Sequence, residues 1–125
     1  VISAALGSRT CSKAVLKAVD QGVIESQIFV QELRSFIKKL KGKEKYRHIE
    51  LEDLSNFIDY FITMVEIEDD YRLLPYSTDF PDNHSISLAA ARNALLITGD
   101  KLCLESALTG NVNCKTPAQY LSESF

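Results

Sequence analysis

Leu95-Leu96-Ile97-Thr98 is a continuous apolar run that ends abruptly at Gly99-Asp100. A run without alternating polar residues reads as a strand covered on both faces. The segment before it, opened by Pro81 and Asp82 and reaching about Asn93, is rich in small residues. Ala89, Ala90, Ala91 and Ala94 allow such a helix to pack closely on a sheet. A covered strand beside a close-packing helix points to layers of helix over parallel strands.

The rest of the chain repeats that alternation. Residues 1–6 read as the tail of a strand running into a loop. Ser8 to Asp20 is helical, with Cys11, Val15, Ala18 and Val19 on one face, and Gly22 stops it. Val23 to Glu25 is a short strand. Ser26 caps the next helix, whose stripe is Phe29, Leu33, Phe36, Ile37 and Leu40, and Gly42 ends it. The strongest amphipathic signal runs from Leu51 to Met64. Val65 to Glu68 reads as a strand, and Asp69 to Phe80 as irregular chain. After Asp100 come a helical turn over residues 101–108 and a strand over residues 112–114. Thr116 and Pro117 start a closing helix. Strands alternating with helices predict a parallel α/β sandwich in one domain over residues 1–125.

Composition sets bounds on function. The chain has 125 residues, 14 basic and 17 acidic, for a net charge of −3. No apolar run approaches the ~20 residues of a membrane span. The opening segment is too short for a signal peptide, and a cytoplasmic protein is expected. Cys11, Cys103 and Cys114 are too few and too scattered for a disulfide framework or a zinc site, and read as reduced thiols. One basic stretch stands out: Lys38, Lys39, Lys41, Lys43, Lys45 and Arg47. It suits first a solvated helix end, and also a surface that touches RNA phosphates; both can hold at once.

In parallel α/β sheets, ligands gather beyond the carboxyl ends of the strands. That rule selects Asp100 after the Leu95–Thr98 strand, Asp82 at the start of the helix before it, and Glu32 in the helix after Glu25. Each alone has an ordinary role, as helix-start acid, turn residue or solvated charge. Together they repel unless something neutralises them. A hard divalent ion, Mg2+ or Mn2+, does so with carboxylate and water ligands and supports hydrolysis of phosphodiesters. Thr98 supports the site through its hydroxyl, and His84 reads as a solvent-facing polar residue or one at the site's rim. No phosphate loop, dinucleotide fingerprint or nucleophile elbow is present.

The string from Asp82 through the small-residue helix to Thr98-Gly99-Asp100 resembles the C-terminal half of PIN domains. Lys115-Thr-Pro-Ala-Gln-Tyr-Leu121 is similar to that family's closing segment, and Ser26-Gln-Ile-Phe-Val-Gln-Glu-Leu33 to its early helix, which places an acid at Glu32. The resemblance implies a three-layer α/β/α domain with a central parallel sheet and an extra helical hairpin. It also implies a Mg2+- or Mn2+-dependent ribonuclease, the toxin of a toxin–antitoxin pair. Glu32, Asp82 and Asp100 would bind metal, RNA would be the substrate, an antitoxin protein the partner, and a homodimer the assembly. Residues 1–6 resemble the segment that follows the family's first strand and first metal-binding Asp, so that strand and that Asp are expected before Val1. Two other readings remain: a catalytically degenerate PIN-fold module that binds RNA or protein, and an unrelated α/β phosphatase.

Overall fold

The computed structural model describes Val1, Ala4, residues 6–40 and residues 51–123, the side chain of Leu51 excepted. Gly42, Lys41, Lys43, Lys45, Arg47 and His48 therefore lie outside the described residues.

Helix α1 spans Arg9–Gln21. The Ser8 hydroxyl accepts from the Cys11 N–H and caps it, satisfying one of the donors a helix start leaves over. It ends at Gly22, whose φ of 99° suits a residue without Cβ. Strand β1, Ile24–Glu25, follows, and then α2, Gln27–Leu40. Ser26 is fully buried, and its hydroxyl accepts from the Phe29 N–H. Helix α3 spans Leu51–Met64 and strand β2 Glu66–Ile67. An irregular stretch leads to α4, Phe80–Arg92, then β3, Leu96–Ile97, α5, Lys101–Thr109, β4, Cys114–Lys115, and α6, Pro117–Ser122. A reciprocal pair of bonds between Thr116 and Gln119 starts α6, the capping box its sequence allows.

Two apolar clusters hold these elements. The larger joins Val15 of α1, Leu33 and Leu40 of α2, and Leu54, Ile58 and Phe61 of α3. Phe29 meets Phe61 edge to face, centroids 6.4 Å apart. The smaller joins Ile86 and Ala89 of α4, Cys103 and Ala107 of α5, and Val112. Helix α1 packs on α6, and α2 on both α3 and α4. Lys17 stands 4.1 Å over the Tyr120 ring and donates to the Tyr120 carbonyl at 2.7 Å, tying α1 to α6.

The three-layer α/β/α arrangement with a central sheet is not what forms. Helix dominates, and the described strands make two separate parallel pairs, β1 with β2 and β3 with β4. Each ladder is two residues long. The strands stop short because caps follow at once: Ser26 after β1, Gly99 and Asp100 after β3, Thr116 after β4. The pairs stay apart across a cavity of about 390 Å³ that has both β1 and β3 in its walls. The strand tail expected at the amino terminus is also corrected. Ala4 is helical, and the Gly7 N–H returns to the Ala4 carbonyl at 3.1 Å, closing a turn.

Among the described residues no helix is long and apolar enough to cross a membrane. The three cysteines are free.

Candidate functional site

The site is built where helices begin. Asp79 caps α4: its carboxylate accepts from the Asp82 N–H at 2.9 Å, and Pro81 takes a first-turn position where no donor is needed. Asp82 stands in that first turn, half-buried, in the wall of the cavity together with Ser85, Thr98 and Gly99. Asp100 caps α5: one oxygen accepts from Leu102 N–H at 2.9 Å and Cys103 N–H at 3.1 Å. Glu32 lies exposed in α2.

Electrostatics connect these acids. The Asp82 carboxyl is pushed up from its ordinary 3.8 to about 6, first by burial and then by repulsion from Asp79, Asp100 and Glu32. The three acids selected from the sequence therefore share one neighbourhood, with Asp79 as a fourth. Among the described residues, the charged groups that act on Asp82 are acidic. They do not close into a ligand set as they stand: among the described residues no three His, Cys, Asp or Glu side chains gather closely enough to hold a metal ion. The donors nonetheless suit a hard cation in kind, being carboxylate oxygens.

Thr98 acts on the backbone of Asp100. Its hydroxyl accepts from the Asp100 N–H at 3.1 Å and so fixes the turn that presents the carboxylate. Below it the Cys103 thiol is pushed up to about 11, by burial first and by Asp82 next. A thiol so held stays protonated and is a poor nucleophile. His84 is half-buried. Its Nδ1 lies 2.6 Å from the Tyr71 hydroxyl, and its ring is flanked by Tyr71 and Phe80. Asn83 serves the preceding loop, its carbonyl oxygen accepting from the Tyr76 and Ser77 N–H groups at 2.8 and 3.0 Å. Lys38 and Lys39 are exposed in the last turn of α2.

Two acids carry more than the sequence reading assigned them. Asp79 is both cap and source of repulsion. Its signal is an Asp two residues before Pro81, the spacing of a helix start. Glu25 closes β1, and burial pushes its carboxyl up to about 8. It could have been found by the rule that selected Asp100, since it too stands at the carboxyl end of a strand. Compared with known proteins, the chain matches no family model, no curated protein and no solved structure.

Proposed function

We propose that the protein is a metal-dependent endoribonuclease that hydrolyses RNA phosphodiester bonds at the acidic cluster. The observation that carries this reading is the Asp82 carboxyl, half-buried and repelled by Asp79, Asp100 and Glu32. Crowded carboxylates of this kind are a donor set for a hard divalent ion. Glu32, Asp82 and Asp100 would hold Mg2+ or Mn2+. Such an ion supplies a polarised phosphate oxygen and a more acidic bound water.

The chain's own residues fit the rest of the task. Asp82 ionises fully once positive charge stands beside it. Thr98 and the α5 amides fix Asp100 against the repulsion of its neighbours. Lys39 follows Glu32 by seven residues, so it lies on the same face of α2 about 10 Å further along. That spacing suits phosphate groups flanking the scissile bond. The resemblance to PIN domains extends the proposal to a toxin held by an antitoxin protein and paired as a homodimer.

The test is cleavage of single-stranded RNA by the full chain with Mn2+, with and without chelator. Cleavage should need the ion, and both Asp82→Asn and Asp100→Asn should slow it by about 100-fold or more. Undiminished cleavage by Asp100→Asn would overturn the assignment.

A second reading is favoured by one observation: no three described ligands lie within reach of a common ion, and one Asp100 oxygen is already engaged by two amides. On that reading the protein binds RNA through its lysines without cutting it. Salt-sensitive, chelator-insensitive binding with no cleavage would select it.

A further inference from the structure

Phe80, the first residue of α4, keeps 61% of its surface in water. A ring so placed adds little to the core, yet it is not loose. It meets the His84 ring, one turn further along the same face of α4, with centroids 4.6 Å apart and planes at 74°. Edge-to-face contact uses at most one face of the Phe80 ring and leaves the other open. Behind His84 stands Tyr71, its ring 5.8 Å away at 85° and its hydroxyl 2.6 Å from Nδ1. The imidazole is thus held by a hydrogen bond and by rings on two sides, and it holds Phe80 in turn. A ring already fixed gives up little side-chain freedom when something stacks on it.

A flat, fixed, apolar face suits a flat partner, and unpaired bases are held on aromatic side chains in this way. Charge points the same way. Arg72 follows Tyr71 in the chain and is exposed. Among the described residues no carboxylate pairs with it. Asp79 and Asp82 repel phosphates at this end of α4, so a cation beside the rings is what a nucleotide needs there. Position fits as well. Phe80 and Asp82 share the first turn of α4, about 3 Å apart along its axis and on opposite sides of it. Asp82 faces the cavity and Phe80 faces water. A strand with one base on Phe80 reaches the acidic cluster by crossing the start of the helix.

We infer that the exposed ring of Phe80, backed by His84 and Tyr71, is a stacking platform for one unpaired base of single-stranded RNA, with Arg72 on a neighbouring phosphate. The inference rests on RNA being the ligand, as in the proposed function, but not on its being cut. The base belongs to a nucleotide near the scissile bond rather than at it. Stacking reads no base edge, so the platform accepts any base and sets position, not sequence.

The chain has no tryptophan, so Phe80→Trp in the full chain puts a single indole at the platform. A short single-stranded RNA of mixed sequence is titrated in with chelator present, so that nothing is cut. Indole emission should fall as RNA binds and stay unchanged with a saturating abasic sugar-phosphate strand of equal length. Phe80→Ala and Phe80→Leu should each weaken RNA binding by about tenfold, while Phe80→Tyr keeps it. Arg72→Gln should weaken both strands and lower the slope of log affinity against log salt by about 0.7. Unchanged emission with RNA, or Phe80→Leu binding as tightly as the parent chain, would overturn the platform. An unchanged salt slope in Arg72→Gln would overturn the phosphate contact. Lost self-association in Phe80→Ala with RNA affinity intact would overturn the platform in favour of a contact between protein chains. Restoring Mn2+ separates the two readings. Quenching without cleavage supports the platform and sinks the nuclease, and cleavage without quenching does the reverse.

Discussion

Asp82 and Asp100 begin neighbouring helices and repel each other across the carboxyl end of β3. One is half-buried in a first turn, and the other is pinned as a cap by two amides. The pair is held together by helix geometry while its charge pushes it apart. The fold tolerates this arrangement at a cost that protonation or a cation removes.

That cost predicts a pH dependence. The folded-state value for Asp82, about 6, lies above its ordinary 3.8. The folded state therefore binds more protons between those values, and stability falls as pH rises through that window. Asp82→Asn should be more stable than the parent chain at pH 7, by about 1 kcal/mol after discounting for solvent screening. The two should converge near pH 4. Mn2+ should raise Tm of the parent chain and raise that of Asp82→Asn much less. Thermal melts over pH 4 to 8, with and without Mn2+, check both signs.

Glu25 gives a second, separable window. Its carboxyl moves from 4.5 to about 8, so its burden grows with pH across that whole range. Glu25→Gln should stabilise the protein at pH 8 by roughly 1–3 kcal/mol and change little at pH 4. Because Glu25 is not among the groups acting on Asp82, the effect should be insensitive to Mn2+. Chemical denaturation at the two pH values reads it directly.

Asp100 has two duties that two substitutions can separate. Asp100→Ala removes the cap from α5 and should cost about 1 kcal/mol. Asp100→Asn keeps an oxygen able to accept from Leu102 and Cys103, so stability should be nearly unchanged. On the proposed function both variants lose cleavage. A stable but inactive Asp100→Asn would assign the loss to the missing charge. Equal destabilisation in both would show that the cap needs the charge.

Gly110 is required by space. Its φ of −85° is open to any residue, but a Cβ there would stand 2.5 Å from the Tyr76 ring. Gly110→Ala should cost roughly 1–3 kcal/mol, as overpacking does. Paired with Tyr76→Ala, the same substitution should add little further cost. Equilibrium unfolding of the two singles and the double gives the coupling.

Helix starts were legible because their chemistry is local. Ser26 and Thr116 act as caps where the sequence places them, and Ser8, read as the first helical residue, is the cap just before it. The Leu51–Met64 helix follows from its apolar periodicity. The rule of strand ends and helix starts picked out Asp100 and Glu32, which act on Asp82 electrostatically, but among the described residues the three do not gather into a ligand group. A central sheet was not, because apolar runs such as Leu95–Thr98 reveal a strand but not which strands lie beside it. Among the described residues pairing joins β3 only to β4, and Leu95 stays exposed. The burdens on Glu25 and Asp82 were also hidden, since desolvation depends on side chains distant in sequence.

The loop before α4 is sewn to that helix at three successive heights. Asn83 receives Tyr76 and Ser77, His84 meets Tyr71, and the Ser87 hydroxyl both accepts from and donates to the Leu74 backbone. Loop and helix consequently travel as one lever. Any displacement of α4 carries Asp79 and Asp82 in step, so the gap between these two acids is insulated from breathing elsewhere. Glu32 and Asp100 are borne by other helices and lie outside that lever.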